Sequence, residues 1–370
     1  MSVRIPPSDS WCIVDNIAWF VSINKYELPS IMKYEFETQK LEIVAELPST
    51  KNCFRAFWGI IKQKNFLLIL PEFAEYIYRY DLFTKEYAYI DMRRYSCNRL
   101  SVRDYCFVSD SVVCMFSIGL QKLFFVDVYS FTIIKEIDLF IGKRGDGNFK
   151  GVVFDEGVAY AMSYENGTIL KVDLYLEKRE IFNIANVNKI YCFCYDGSTF
   201  WMSGNKMEIY KWNLGDLYAD VLTEFPKDFT FADESKKELN YQEPAFLYCY
   251  GVADRVYFIP FTMNSIVEVD KNNRIRLVND LYDISEAESA FSKEMNSIYL
   301  CQYVREDRYL GLYWLARNEQ YEYDCLTKEF NLLHATLGQN FIDKIKSTSI
   351  LYEGEGIDLD EFLNIFSCFF

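Results

Sequence analysis

Histidine is nearly absent from this chain of 370 residues, because His334 is the only one. Histidine supplies the base of most nucleophilic triads and many metal ligands, so its scarcity removes the usual forms of both sites. The chain also lacks C-x-x-C pairs, a G-x-S-x-G motif and a phosphate-binding loop. We therefore expect no metal centre, no cofactor and no nucleophilic catalytic residue.

Long apolar runs are missing as well. No apolar stretch is long enough to span a bilayer, and residues 1–10 lack the apolar core of a secretory signal. The eleven cysteines are an odd number without paired spacing, and in a chain with no export signal they indicate reduced thiols. These features predict a cytoplasmic protein with no membrane partner.

Positive charge is scarce, since 39 Lys and Arg face 54 Asp and Glu and leave a net charge of −15. Nucleic-acid binding depends on cations that neutralise phosphates, so this balance argues against a nucleic-acid partner. A basic or zwitterionic partner fits better, although the same charge also serves solubility.

Glycine is sparse at 16 residues, whereas 29 Tyr and 31 Phe bring the aromatic residues to 18% of the chain. Aromatic side chains pack well on the pleated surface of a sheet. The composition therefore favours β-strands.

One pattern recurs along the chain: an alternating apolar run, then an aromatic residue or Val, then a polar residue. The polar residues are separated by 46, 46, 46, 40, 57 and 54 residues. A period of this length is typical of propeller blades. The seven positions are Glu35, Asp81, Asp127, Asp173, Asn213, Asp270 and Asp324.

Each unit contains four strand-like runs joined by short polar turns. In the second unit they span 54–61, 66–70, 75–82 and 86–92, and the fourth unit has them at 151–154, 158–163, 168–174 and 178–184. Four antiparallel strands per unit, seven units and no helical spacer predict an all-β fold. We expect a single seven-bladed β-propeller over residues 1–338.

The end of the second unit reads Tyr80-Asp81-Leu82-Phe83-Thr84-Lys85-Glu86-Tyr87, and 323–330 repeats this arrangement. It resembles the end of a kelch repeat, in which an aromatic–Asp pair precedes a turn and an aromatic strand. The chain has neither the kelch glycine pair nor the Gly-His and Trp-Asp dipeptides of WD40 repeats. The resemblance is therefore architectural, to a bacterial kelch-like or WD40-like propeller, and it implies partner binding on one face.

Three segments depart from the repeat. The charged stretch 226–243 predicts an exposed loop, and 281–294 predicts a short helix or an acidic loop. Residues 339–370 form a C-terminal extension in which Asp358 and Glu361 resemble a capping box. We expect a short helix there that packs on the propeller, or that serves as a docking peg for a partner protein.

Cations precede the innermost strands of four consecutive blades. In a propeller this position is the rim of the central channel, because the chain enters each blade there. The aligned rim residues are Arg55, Arg103, Lys150 and Lys189, with Asp9, Glu243 and Lys293 on the remaining blades.

Cations held around a partly dehydrated funnel attract a carboxylate or a phosphate. We expect an anion-binding pocket here, with Phe57, Trp58 and Tyr105 as stacking walls and Glu243 on the same rim. The alternative is that these lysines and arginines only flank the strands as solvated residues.

Two functional classes follow. The first is a non-catalytic binding or scaffold module whose channel mouth recognises a protein partner or an anionic small molecule or glycan. The second is a carbohydrate- or peptide-modifying enzyme that uses carboxylates, Tyr and Arg at the same face. Asp9, Asp104 and Glu243 are then the candidate acids or bases.

Overall fold

Thirty β-strands make up most of the described part of the chain, and its one helical element is a 3-10 turn at Arg93–Tyr95. The structure is a computed structural model. It describes residues 2–3, 5, 8, 10–22, 29–48, 56–95, 99–140, 149–204, 207–231, 244–261, 263–278, 299–314 and 319–337. Within these ranges no helix is long and apolar enough to cross a membrane.

The strands form seven antiparallel meanders of four, which are the blades of a β-propeller numbered here in chain order. Blade 1 contains β2 (Trp11–Val14), β3 (Ile17–Val21), β4 (Ser30–Glu35) and β5 (Lys40–Glu46); blade 2 contains β6 (Phe57–Gln63), β7 (Phe66–Pro71), β8 (Tyr76–Asp81) and β9 (Tyr87–Asp91); blade 3 contains β10 (Val102–Phe107), β11 (Val112–Ser117), β12 (Lys122–Asp127) and β13 (Thr132–Asp138). Blade 4 contains β14 (Phe149–Asp155), β15 (Val158–Ser163), β16 (Thr168–Asp173) and β17 (Arg179–Asn183); blade 5 contains β18 (Cys192–Tyr195), β19 (Phe200–Ser203), β20 (Ile209–Trp212) and β21 (Asp220–Leu222). Blade 6 contains β22 (Phe246–Val252), β23 (Arg255–Pro260), β24 (Ile266–Asp270) and β25 (Ile275–Val278); blade 7 contains β26 (Tyr299–Arg305), β27 (Tyr309–Trp314), β28 (Glu319–Asp324) and β29 (Glu329–Leu332). Two short strands, β1 (Ser2–Val3) and β30 (Ala335–Leu337), complete the set.

The blades pack face to face around the ring. In one of the apolar clusters between them, Ile61 and Leu68 of blade 2 lie against Val113 and Phe124 of blade 3. The second strand of a blade, such as β11, is buried along nearly its whole length because both of its faces are covered. The outermost strand, such as β17, alternates between exposed and half-buried residues because one of its faces meets water.

The ring closes through strands added to blade 1. Strand β30 pairs in parallel with β5, and β1 pairs with β30, so the sheet of blade 1 has six strands. The Trp11 ring of blade 1 stacks on Tyr303 of blade 7 with centroids 5.0 Å apart. The Tyr34 hydroxyl donates to the His334 carbonyl at 3.0 Å. Both termini of the propeller are thereby tied to one blade.

The polar residue of the sequence repeat caps the turn after the third strand. Asp127 Oδ1 accepts hydrogen bonds from the N–H groups of Tyr129 at 3.1 Å and Ser130 at 2.7 Å. Asp81 and Asp173 accept the equivalent pairs in their own blades. A carboxylate bound to the N–H groups two and three residues onward forms an Asx turn. The period is clearest at this residue because four blades make the same turn there, the fourth of them at Asp324.

The predicted seven-bladed propeller is confirmed, and the strand bounds differ from the predicted ones by a few residues. Strand β6 continues to Gln63, whereas the sequence pattern predicts that it ends at residue 61. The turn needs only Lys64 and Asn65, because Lys64 adopts a φ of 51°. Strand β14 begins at Phe149 instead of 151.

The prediction of an exposed loop at 226–243 is wrong for its first residues, 226–231. Phe229 is only 4% exposed, and its ring lies parallel to that of Phe246 with centroids 5.8 Å apart. Burial of the aromatic ring outweighs the polar character of its neighbours. Residues 232–243, the segment 281–294 and the predicted C-terminal helix lie outside the described residues.

Candidate functional site

The first strands of the blades surround a central channel that contains a cavity of about 660 Å³. Small-molecule sites in proteins have volumes of this order. Each blade contributes a lining residue ahead of the turn that joins its first two strands. These residues, which we call the channel ring, are Ser10, Trp58, Arg103, Lys150, Tyr191, Leu247 and Gln302.

In five blades the ring residue is the extra residue of a β-bulge. The register of the first hairpin shifts at Trp58, Arg103 and Lys150, and again at Leu247 and Gln302. A bulge leaves one residue unpaired and changes the direction of its side chain. The bulges thus present a tryptophan, two cations, a leucine and a glutamine to the channel from strands that otherwise pack between blades.

Arg103 is already engaged within the protein. Its Nη2 lies 3.0 Å from Glu72 Oε1, and its Cζ is 3.9 Å from the centre of the Trp58 ring. Glu72 also accepts hydrogen bonds from Arg99 Nε and from the Ser101 hydroxyl, both at 2.8 Å. Burial opposes ionisation of Glu72, but the two arginines and Ser101 outweigh it and lower the pKa of the carboxyl. One buried carboxylate therefore holds both arginines.

Two lysines flank one tyrosine of the channel wall. Lys150 Nζ lies 4.7 Å from the centre of the Tyr164 ring, and Lys189 Nζ lies 5.9 Å from it. The Tyr164 hydroxyl donates to the Tyr191 hydroxyl at 2.7 Å. Among the described residues no carboxylate forms an ion pair with either lysine, whereas Lys122, Lys135 and several other lysines are paired. The charges of Lys150 and Lys189 are thus available to a ligand.

Asp104 follows Arg103 and also lines the cavity. Its Oδ2 accepts a hydrogen bond of 2.8 Å from the N–H of Val152 in the next blade. Burial raises the pKa of Asp104 to about 6, although that hydrogen bond and the charge of Arg103 both lower it. The channel therefore contains a carboxyl group that titrates close to neutral pH.

Gln302 is the ring residue of blade 7, and its side chain is buried, with the residue 4% exposed. Its Nε2 donates to the carbonyl oxygen of Ser8 and lies 3.3 Å from the Ser8 hydroxyl. Its Oε1 has no hydrogen-bond partner among the residues that the structure describes. An unmade buried acceptor costs about 1–3 kcal/mol, and this oxygen is itself buried with almost no accessible surface.

Only some of the predicted rim residues line the channel. Arg103, Lys150 and Trp58 line the channel, and Lys189 reaches the ring of Tyr164. Tyr105 does not line the cavity of about 660 Å³, but it lines a second cavity of about 340 Å³ together with Arg103 and Asp104. Its ring packs on the apolar cluster between blades 2 and 3, and its hydroxyl lies 4.0 Å from the sulfur of Cys12.

Phe57 does not form a stacking wall, because it is 2% exposed within the cluster between blades 1 and 2. Arg55, Glu243, Asp9 and Lys293 lie outside the described residues, so their place in the site stays a prediction. In blade 2 the ring position belongs to Trp58.

Sequence reasoning missed Glu72, Tyr164 and Gln302. Glu72 could have been found, because it directly follows the apolar strand 66–71. A carboxylate at such a position is buried and therefore requires a partner. Tyr164 and Gln302 had no such signal, since tyrosine is abundant and one glutamine in a strand is unremarkable in sequence.

Four cysteines, Cys192, Cys194, Cys249 and Cys301, line the cavity. The eight cysteines that the structure describes are free thiols. Cys192 and Cys194 are both buried on one face of β18, as their alternation predicts. In the same ranges no three His, Cys, Asp or Glu side chains are grouped so that they could hold a metal ion.

No family model matches the chain, and no curated protein matches it in sequence. Solved structures share its fold. Streptogramin B lyase is 11% identical with a TM-score of 0.59, covering 90% of this chain and 97% of that one. The RRP9 WD40 repeats are 9% identical with a TM-score of 0.56, covering 85% and 89%. A chain of the mitotic checkpoint complex is 9% identical with a TM-score of 0.50, covering 80% and 87%.

At these identities the similarity shows the propeller fold alone. The same fold carries a lyase and WD40 domains, so it does not distinguish a catalyst from a binding module. The kelch-like part of the resemblance stays a prediction.

Replacing Glu72 by Gln should lower the free energy of unfolding by about 2 kcal/mol, because two arginines then lose the buried charge that holds them. Urea denaturation at neutral pH measures the change. Glu180→Gln is the matched control, since Glu180 pairs with Lys171 and Lys178 at the surface and such pairs contribute little. Equal stabilities of the two variants would contradict the assigned role of Glu72.

Asp104→Asn should stabilise the protein at pH 7.5 and leave its stability unchanged near pH 4. The folded pKa of about 6 exceeds the ordinary value of 3.8, so the folded state binds more protons than the unfolded state between these values. Wild-type stability therefore falls as the pH rises through this window, by at most about 3 kcal/mol. Urea denaturation across this pH range measures the difference between the variant and the wild type.

Asp220→Asn serves as the control for that series, because Asp220 is exposed on the outermost strand of blade 5. If the difference in stability between Asp104→Asn and wild type does not change with pH, the pKa of Asp104 is not raised.

Proposed function

We propose that this protein is a non-catalytic binding module that recognises an anionic group at the mouth of its central channel. The observation that carries the proposal is the pair Lys150 and Lys189, which both lie within 6 Å of the centre of the Tyr164 ring and have no ion-pair partner among the described residues. Lysine forms strong charge-assisted hydrogen bonds with carboxylates and phosphates.

The charge balance of the channel supports the same conclusion. In the described part of the chain Arg99, Arg103, Lys150 and Lys189 face two carboxyl groups, and one of these has its pKa raised to about 6. A local excess of positive charge in a protein with a net charge of −15 needs a cause. A concave wall of low dielectric focuses that charge on whatever enters the channel.

The anion has two possible carriers. A protein partner would present it as an acidic side chain or a phosphate group, and propellers similar to this one include a chain of the mitotic checkpoint complex. A small molecule or glycan would instead enter the cavity of about 660 Å³.

The double variant Lys150→Ala/Lys189→Ala should bind inorganic phosphate about ten-fold more weakly than wild type, because it loses both unpaired cations of the channel. Isothermal titration calorimetry at low ionic strength measures the affinity. Arg103 is a poor choice for this test, since its removal would leave Glu72 with one arginine and destabilise the fold.

Lys227→Ala/Lys271→Ala is the matched control, because it changes the net charge equally with exposed lysines that do not line the cavity. Phosphate binding that both double variants reduce to the same extent would show a non-specific charge effect and overturn the proposal. Absence of phosphate binding by the wild type would overturn it as well.

A second candidate function is favoured by Asp104. A carboxyl group in the cavity whose pKa is raised to about 6 is suited to general acid–base work. The enzyme would then be a carbohydrate- or peptide-modifying one, and Tyr164 and Tyr191 line the same cavity as the acid.

Turnover decides between the two candidates. Incubation of the wild type with acidic oligosaccharides or acidic peptides, followed by mass spectrometry, should show no product if the protein only binds. Product that forms with wild type and is lost in Asp104→Asn would establish the enzyme instead, because Asn cannot exchange a proton.

A further inference from the structure

Two sets of turns lie at one end of the ring. In each blade an inner turn joins the first and second strands and an outer turn joins the third and fourth, and in an antiparallel meander both leave from the same end of the sheet. We call this end of the propeller the hairpin face. Lys150 lies near the start of β14 and Asp155 ends it, so the hairpin face is opposite the channel mouth.

Large apolar side chains are exposed on the hairpin face of blades 3 and 4. They are Phe107 at the end of β10, Tyr129 in the outer turn of blade 3, and Tyr175 and Leu176 in that of blade 4. Leu176 is the most accessible of these four, at 78%. Single apolar residues are common at protein surfaces, whereas several on adjacent blades are typical of a binding surface. These four residues are called the apolar patch below.

Contacts between the turns connect the apolar patch to the inner turns and across the two blades. The Tyr175 ring lies over Gly157 in the inner turn of blade 4, because a Cβ atom at Gly157 would stand 2.5 Å from Cε2 of Tyr175. Lys135 of β13 donates from Nζ to the Leu174 carbonyl at 3.0 Å, which ties the outer turn of blade 4 to blade 3. The patch is thus held by packed turns.

Carboxylates follow the inner side of the apolar patch. The side chain of Asp110, in the inner turn of blade 3, is almost fully exposed. Asp155 and Glu156 begin the inner turn of blade 4, and Asp196 follows β18 in blade 5. Burial and then the charges of Asp155, Asp196 and Glu156 raise the pKa of Tyr195, so these three carboxylates lie close to one hydroxyl.

Most of this negative charge has no counterion in the protein. Among the described residues no lysine or arginine forms an ion pair with Asp155, Glu156 or Asp196, and Asp110 has only Lys64 at 3.5 Å. Exposed apolar side chains beside uncompensated carboxylates are complementary to a segment that carries both apolar and cationic side chains.

We infer that the hairpin face of blades 3 and 4 binds a basic amphipathic segment of a partner protein. Its apolar side chains pack on the apolar patch, centred on Tyr175 and Leu176, and its lysines or arginines meet the carboxylates of the inner turns. This surface is separate from the anion site at the channel mouth, so the inference goes beyond the proposed function and does not depend on it.

The charge of the surface argues against three other occupants. An anionic membrane surface, or a second copy of the same face, would bring like charges together. Residues 339–370 of this chain contain six Asp and Glu against two Lys, so the same repulsion applies to them.

Fluorescence anisotropy of labelled peptides with the full-length protein tests the inference. The probes are an amphipathic peptide of leucine and lysine, its alanine–lysine and leucine–glutamate counterparts, and a peptide with the sequence of residues 339–370. The leucine–lysine peptide should bind, and added salt should weaken its binding because salt screens the carboxylates. Both counterparts should bind at least about ten-fold more weakly, since each lacks one of the two kinds of contact.

Leu176→Ser should weaken binding of the leucine–lysine peptide about five-fold, because it removes the most accessible apolar contact. Leu326→Ser is the matched control. Leu326 is exposed in the outer turn of blade 7, and like Leu176 it donates its N–H to the carboxylate that caps its turn. Serine keeps that backbone hydrogen bond, so both variants retain the turn, and the control should bind as wild type does.

Asp110→Asn/Glu156→Gln should weaken binding of the same peptide about ten-fold at low ionic strength and by less at high salt. Glu37→Gln/Glu329→Gln is the matched control, because it removes two exposed carboxylates from the hairpin face of blades 1 and 7. Equal losses in the two double variants would show a general attraction to an acidic protein and would overturn the inference.

Other results would also contradict a basic amphipathic partner. Failure of the leucine–lysine peptide to bind, or equal binding of its alanine–lysine counterpart, would remove the basis for the apolar contacts. Tighter binding of the peptide of residues 339–370 would make a segment of this chain the occupant. Cosedimentation with phosphatidylserine vesicles, or a dimer in sedimentation equilibrium, that Leu176→Ser abolishes would make the occupant a membrane or a second copy. Phosphate binding is measured separately, so either proposal can fail while the other stands.

Discussion

The packing of one blade on the next is the interaction on which the rest of the protein depends. Each blade has two apolar faces, and neither is covered unless another blade lies against it. Burial of the second strands, such as β11, shows how completely the neighbours exclude water. Stacked sheets of this kind leave no free face only when the stack closes on itself. Closure at blade 1, through β30, β1 and the Trp11–Tyr303 stack, is therefore a condition of stability for all seven blades.

Closure also creates the site, because it brings the inner edges of seven strands around one axis. An inner edge has a limited choice of residues to present, since alternate side chains pack between blades. The β-bulges relieve this restriction by adding a residue that is free to face the channel. Arg103 and Lys150 reach the wall in this way, and Glu72 then limits how much of the positive charge is available. An acidic protein thus carries a cationic channel.

Sequence reasoning located part of this site and misplaced another part for a definite physical reason. Arg103 and Lys150 were found because residues at the entry of an inner strand must lie near the axis. Simple alternation puts Tyr105 on the same face as Arg103. The bulge at Arg103 shifts the alternation by one residue, so Asp104 lines the cavity of about 660 Å³, whereas Tyr105 packs on the apolar cluster between blades 2 and 3 and lines a second, smaller cavity. A bulge depends on the pairing of two strands and leaves little trace in one of them.

The sequence by itself determined the number of blades, the four strands in each and the turn that repeats at Asp81, Asp127 and Asp173. These features follow from alternation of apolar residues and from hydrogen bonds that span three residues, so they are local. Tertiary structure alone decided that Glu72 meets Arg103, that Lys150 and Lys189 share Tyr164, and that Gln302 keeps an unpaired oxygen. Each of these arrangements joins different strands, and most join different blades, so they exist only once the blades have packed and the ring has closed.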